Sequence, residues 1–252
     1  MKTRLPNKDF WKNKNVLITG HTGFKGSWLT YWLLTLGAKI SGYSLEPEEG
    51  ISLFNELDIR QDLNHCIGDI CDHEKLSKFV LNANPDIIFH LAAQPLVRES
   101  YKKPITTWNV NTMGSINLMD ICRNLPNKCN LIMITTDKVY ENKEWYYGYR
   151  EVDRLGGYDP YSSSKAAAEM AINSWRLSFC GGGNSKLNIS SARAGNVIGG
   201  GDWSLDRLIP DAVKALSQNT KIKIRNKKST RPWQHVLDPL CGYLCLAESM
   251  DK

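Results

Sequence analysis

Tyr161 and Lys165, in the run Tyr-Ser-Ser-Ser-Lys, and the upstream triplet Thr136-Asp137-Lys138 are the residues best suited to chemistry in this chain. A spacing of four puts Tyr161 and Lys165 on one face of a helix. A free phenol titrates at about 10 and is a poor base at neutral pH, but an ammonium beside it favours the phenolate. Thr136 adds a hydroxyl for the same reacting oxygen. Asp137 and Lys138 supply two more groups able to carry protons, which is more than the oxidation of an alcohol needs.

These side chains need a frame, and the start of the chain supplies it. The apolar run 16–18 reads as a buried parallel strand, followed by Gly20-His21-Thr22-Gly23-Phe24-Lys25-Gly26 and a helical period up to Gly37. Glycines at a strand-to-helix turn let backbone N–H groups approach a pyrophosphate, and the helix N-terminus faces it. Downstream, strands are expected at 38–43, 66–70, 86–91, 130–135 and 187–192. Helices are expected at 73–81, 106–123, 160–179 and 239–250, with a loop over 137–159 and a flexible turn at 181–184. Pro160 suits the first turn of its helix. Such alternation predicts an α/β fold, a doubly wound parallel Rossmann-type sheet. Gly20, Asp69, Ala92, Thr136 and Arg193 all fall at or just after strand ends, where this fold binds its ligands.

The chain has 252 residues, 42% hydrophobic and 23% charged, with a net charge of +6. That is enough for a sizeable core. The basic residues form no block of nucleic-acid type; the densest stretch, 221–231, is either a solvated loop or a contact for a phosphate-bearing ligand. Seven cysteines occur without a CxxC pair, so free thiols are expected and no metal site. No apolar run reaches transmembrane length and residues 1–15 hold no apolar signal region, which points to a cytoplasmic protein that does not enter a membrane.

Several motifs recur in order along almost the whole chain: 20–29 (GHTGFKGSWL), 90–98 (HLAAQPLVR), 135–140 (TTDKVY), 148–151 (GYRE), 159–165 (DPYSSSK), 193–203 (RAGNVIGGGDW) and 231–237 (RPWQHVL). By these the chain resembles the extended short-chain dehydrogenases/reductases, and within them the nucleotide-sugar 4,6-dehydratases. Lys138, where other sugar dehydratases have Glu, brings the resemblance nearest to the branch that acts on CDP-glucose.

The resemblance implies NAD as cofactor, with residues 1–193 as its binding domain and 194–252 as a partial sugar-nucleotide lobe. Gly20, His21, Thr22, Gly23, Phe24, Lys25 and Gly26 would hold the pyrophosphate. Ser44 would meet the ribose, Asp69 and Ile70 the adenine, and Leu91, Ala92, Ala93, Gln94 and Thr135 the nicotinamide side, with Tyr161 and Lys165. Asn111 would prop the active site, and Gln94, Arg98, Asn196, Arg207 and Arg231 would bind the nucleotide sugar. It also implies a homodimer or homotetramer, built on helices 106–123 and 160–179 through Trp108, Ile116, Met119, Met170, Ile172 and Trp175.

The implied reaction is oxidation at C4, Tyr161 taking the hydroxyl proton as phenolate and NAD the hydride, then loss of the C5 proton to a neutral Lys138, donation by Asp137 to the departing C6 hydroxyl, and hydride return to C6. Two departures stand out. The second strand ends without the acid that usually takes the ribose hydroxyls, although Glu46 nearby would repel a 2′-phosphate and favours NAD over NADP. The family's chains also continue well past 239–250, so a truncated lobe is expected. A 4-epimerase, or an NAD-binding protein without activity, remains as an alternative.

Overall fold

The computed structural model describes residues 5–47, 50–180 and 185–251. The turn expected at 181–184 lies outside them. Six parallel strands form one sheet: β1 (Asn15–Thr19), β2 (Lys39–Ser44), β3 (Asn64–Ile67), β4 (Ile87–His90), β5 (Cys129–Thr136) and β6 (Leu187–Ala194), in the order β3-β2-β1-β4-β5-β6. The chain reverses its direction of strand addition between β1 and β4. The carboxyl ends of these central strands therefore open a crevice at the switch point.

Alternation along the strands makes two cores. Val16, Ile18, Ile87, Phe89, Ile132 and Ile134 face one side, and Leu17, Ile88, Leu131 and Met133 face the other. On the first side lie α1 (Lys8–Trp11) and α2 (Phe24–Thr35), with α3 (Leu53–Glu56) near the sheet edge. The second side is covered by α4 (His73–Ala83), α7 (Gly114–Cys122) and α8 (Pro160–Phe179).

Three expectations are corrected. The third strand ends at Ile67, before Asp69, because Gly68 packs where a Cβ would lie 2.3 Å from the Tyr43 ring and the chain turns there. The helix expected over 106–123 begins at Pro104 and is interrupted: α6 (Pro104–Trp108), a π-helical turn (Asn109–Met113), then α7. Before it lies α5 (Val97–Lys102), which the sequence reading had missed. Of the six apolar residues expected between copies, Met119 and Ile172 are fully buried in this chain's own core, while Trp108 and Met170 are exposed.

Beyond β6 come a two-stranded parallel sheet, β7 (Asn196–Ile198) and β8 (Trp233–His235), and α9 (Leu208–Ser217). The last helix, α10 (Leu237–Met250), follows β8 directly, and its Leu240, Leu244 and Ala247 lie fully buried against the first face of the main sheet. Burying each leucine is worth about 1.5–3 kcal/mol, which makes this helix part of the Rossmann core. Among the described residues no helix is long and apolar enough to cross a membrane, and no cluster of three potential metal ligands occurs.

Candidate active site

Tyr161 is fixed by the start of its helix. Asp159 caps α8, accepting from the Ser162 N–H at 2.9 Å while its own N–H donates to Ser162 Oγ at 3.2 Å, and Pro160 sets the first turn. The ring is buried and the Thr136 hydroxyl lies within reach of the phenol. Burial raises the Tyr161 pKa; Thr136 and the Arg207 charge oppose this, and Asp137 reinforces it. One turn on, Lys165 Nζ donates to the Ile134 carbonyl at 3.3 Å. Burial pushes this amine down to about 8, with the Lys25 charge adding and Glu169 opposing. Arg207 is thus a cation whose charge favours the Tyr161 phenolate, while the Lys165 amine bonds the β5 backbone.

Thr136 closes β5, and Asp137 and Lys138 begin the short 3-10 turn Asp137–Val139. The Thr136 hydroxyl donates to Asp137 Oδ1 at 3.1 Å, and Lys138 N donates to Thr136 Oγ1 at 3.3 Å. Lys138 Nζ stands 5.8 Å from the centre of the Tyr161 ring. Its side chain keeps an exposed surface, yet the protein around the amine lowers its pKa; Asp137 opposes this, and Arg231 and Arg207 add to it.

The glycines divide their work. Gly20 takes φ +76°, and a Cβ there would lie 2.7 Å from Ala92 N; one at Gly26 would lie 2.0 Å from the Gly20 carbonyl. Both are required by the chain's own packing. Gly23 is different: it is exposed, caps α2 without a side-chain bond, and a Cβ there meets only the Gly20 carbonyl at 3.4 Å. The uncapped first turn of α2 and the open space over Gly23 fit a dinucleotide pyrophosphate. Gly23→Val should therefore fold with near-native far-UV dichroism and lose NAD binding by calorimetry, whereas Gly26→Ala should lose the fold. Unchanged NAD affinity in Gly23→Val would show that this loop is not the phosphate site.

Around the loop, Thr22 Oγ1 pairs with Ser44 Oγ at 2.7 Å, and Lys25 is enclosed, with burial pushing its pKa down to about 8. His21 is fully buried and bonded to His65 at 2.7 Å; burial pushes its pKa down to about 3, so it stays neutral. Phe24 and Leu91 pack on the first core, Ile70 lies in the second, and Asp69 is exposed. Arg60 pairs with Glu46 at 3.1 Å just beyond β2, a neighbour that its distance in sequence concealed.

The π turn places Asn111, fully buried, between two halves of the site. It accepts from Gln94 N at 2.9 Å and donates to Gln94 O at 3.2 Å and Ser164 Oγ at 3.0 Å. It thus ties the 92–94 loop, Ala93 included, to α8. The Gln94 side chain is engaged with Leu96 and Thr107 and is not turned outward. On the other flank, Arg207 pairs with Asp202 at 2.8 Å, and Arg98 and Arg225 share Asp206 at 2.7 and 3.0 Å. Asn196 starts β7 opposite Trp233, two residues after Arg231, whose charge reaches Lys138. Arg207, Arg231 and Lys25 therefore border the Tyr161 centre.

A glycine loop on a parallel sheet, with a Tyr/Lys pair on the helix after its fifth strand, defines a short-chain dehydrogenase/reductase of the nucleotide-sugar dehydratase and epimerase group. Residues 17–249 match the family described as GDP-mannose 4,6 dehydratase, and the chain belongs to that family. It is 47% identical over 247 residues to the CDP-glucose 4,6-dehydratase of Salmonella typhimurium, covering 97% of this chain and 69% of that protein. It is 30% identical to the dTDP-D-glucose 4,6-dehydratase of Dictyostelium discoideum, covering 94% of this chain but 56% of the relative. Among solved structures, the epimerase Mth375 of Methanothermobacter thermautotrophicus superposes with a TM-score of 0.83 at 23% identity, covering 95% of this chain and 69% of that one. A double mutant of DesIV, the dTDP-glucose 4,6-dehydratase of Streptomyces venezuelae, superposes at 0.80 with 21% identity, covering 92% of this chain and 71% of that one. These two likenesses concern the fold.

Proposed function

We propose that this chain catalyses the NAD-dependent 4,6-dehydration of CDP-glucose to CDP-4-keto-6-deoxyglucose and water. The carrying observation is that Asp137 and the pKa-lowered amine of Lys138 stand beside the Tyr161 phenol, so acid and base for an elimination share one centre with the oxidation. The relatives are named as 4,6-dehydratases, the first of them for CDP-glucose.

NAD, which the Gly20–Gly26 loop would hold, would supply the hydride acceptor for C4 and the hydride donor for C6; the proton chemistry belongs to the chain. Tyr161, as the phenolate that Thr136 and the Arg207 charge favour, receives the C4 hydroxyl proton, with Thr136 holding the same oxygen. The C4 ketone acidifies the C5 hydrogen, which neutral Lys138 removes. Asp137, in its acid form, protonates the departing C6 hydroxyl, which leaves as water, and the C5 proton is restored when the hydride adds at C6. Arg207 and Arg231 offer fixed positive charge to the substrate's diphosphate. Glu46, two residues beyond β2 and paired with Arg60, favours NAD over NADP.

Residues 196–235 form the sugar-nucleotide side in this reading. The chain acts as a homodimer through the outer faces of α6 and α8, where Ile105, Trp108 and Met170 are exposed. Cys66, Cys71, Cys122, Cys129 and Cys180 are unbridged, which suits the cytoplasm.

The test is incubation of the protein with NAD and CDP-glucose in deuterated water, together with light scattering. An alkali-absorbing 4-keto product carrying deuterium at C5, and a dimeric mass, are expected. Inversion at C4 without deuterium would establish the epimerase instead, and no turnover would leave a binding protein.

A further inference from the structure

Glu169 lies one turn beyond Lys165 on α8, so Tyr161, Lys165 and Glu169 share a helix face. No step of the reaction above uses it, yet its buried carboxylate is among the most heavily bonded groups of the chain. It accepts from the Thr135 hydroxyl, from Ser191 Oγ at 3.0 Å, and from Arg193 through Nε and Nη2, each at 3.0 Å. Thr135 and Arg193 sit opposite each other in the β5–β6 register, with Ser191 two residues earlier on the same face.

Arg193 continues the chain of contacts. Its Nη1 donates to the Tyr140 hydroxyl at 3.0 Å and to the Glu151 carbonyl at 3.2 Å, and its guanidinium lies 5.0 Å from the centre of the Tyr140 ring. Tyr140 stacks on Tyr149 at 5.0 Å and bridges to Leu155. The segment Thr136-Asp137-Lys138-Val139 is therefore pinned at both ends. Glu169 holds Thr135 just before it, and Arg193 holds Tyr140 just after it.

Burial pushes the Glu169 carboxyl up, but the bonds from Arg193, Thr135 and Ser191 outweigh this and keep it ionised. A buried ion pair adds little net stability over an apolar pair of the same shape; what it adds best is a fixed arrangement. The fork of Arg193 is suited to that, since it bonds the carboxylate with two N–H groups and still has another for the loop.

We propose that the Glu169–Arg193 pair is a positioning device for the elimination half of the reaction, holding Asp137 and Lys138 in register with Tyr161 and tying the 140–155 loop to the catalytic helix. This rests on the dehydratase reading. Tyr161 and Lys165 are positioned by the α8 cap and by Asn111 through Ser164; the Glu169 charge also acts on the Lys165 amine, so the C4 step is read in Arg193→Lys and Tyr140→Phe, which keep that carboxylate. A displacement of about 1 Å at a reacting group costs on the order of 10²-fold. Loss of the pair should fall on the C5 and C6 steps to about that extent, with far less effect at C4.

The test uses Glu169→Gln, Arg193→Lys and Tyr140→Phe. The last keeps the ion pair and the Arg193 bond to the Glu151 carbonyl and removes only the bond to the Tyr140 hydroxyl, so it tests the hold on residue 140 if either of the others fails to fold. Two measurements are made. Hydrogen exchange of the free protein should quicken at amides 136–140 and 151–155, with the first turns of α8 unchanged. In single turnover, C4 oxidation should persist while deuterium exchange at C5 drops by about 10²-fold. Unchanged exchange at 136–140, or a parallel fall in oxidation and C5 exchange, would overturn the proposal. If the wild-type protein forms no product from CDP-glucose, the dehydratase reading fails, and amide exchange alone still decides whether the pair pins this segment.

Discussion

Tyr161→Phe should abolish turnover of CDP-glucose, by roughly 10²–10⁴-fold in kcat, with little change in substrate affinity. The substitution removes the oxygen that takes the C4 proton and leaves the ring. That ring is 8% exposed, packed at the start of α8, and Phe fills the same space. The cap formed by Asp159 and Ser162 does not involve the side chain, so the helix start persists. Removing a group that acts in the transition state lowers kcat and kcat/KM together. Steady-state kinetics with calorimetry of substrate binding would measure both. A variant retaining half its rate would place the base elsewhere.

The second large effect concerns Lys138→Met and Asp137→Asn. Both leave Tyr161 and Lys165 able to oxidise C4. Reduced cofactor should therefore accumulate in single turnover while the 4-keto-6-deoxy product does not. Lys138→Met should also suppress deuterium exchange at C5. The pH dependence gives an independent sign. An amine acts as base in its neutral form, so C5 exchange rises with pH through the Lys138 pKa. Burial lowers that pKa, so the rise should fall below the 10.5 of a free lysine. Removing the Arg231 charge takes away one influence that lowers it, and Arg231→Leu should move the rise to higher pH. Wild-type exchange in Lys138→Met would remove the lysine from the mechanism. Full turnover in Asp137→Asn would favour the epimerase reading.

Much of the frame was legible because buried parallel strands read as apolar runs. β5 is buried along its entire length and appears in the sequence as an uninterrupted stretch leading to Thr136. The π turn was not legible, since residues 104–122 keep a helical period throughout and one widened turn leaves no mark in composition. It nevertheless determines where Asn111 points. Glu169 carried a readable signal, the same spacing of four that joins Tyr161 to Lys165. Its partner did not, because Arg193 is brought across only by strand register. The direction of the Lys165 amine was beyond reach for a related reason. A long side chain chooses between a phenol and a backbone carbonyl by the local packing, and spacing alone fixes only the helix face.

The closing of the first sheet face by α10 also bears on how the chain comes to be folded during synthesis. Trp11 Nε1 donates to Glu248 at 2.9 Å across 237 residues, and Lys14 reaches Asp251 at 3.1 Å. Strands β1, β4 and β5 emerge from the ribosome long before the helix that shields Val16, Ile87 and Ile132. Contacts of such long range are slow to form, and apolar strands left waiting invite association with other chains. The nascent polypeptide thus keeps part of this apolar face without its last cover until residue 250 is free.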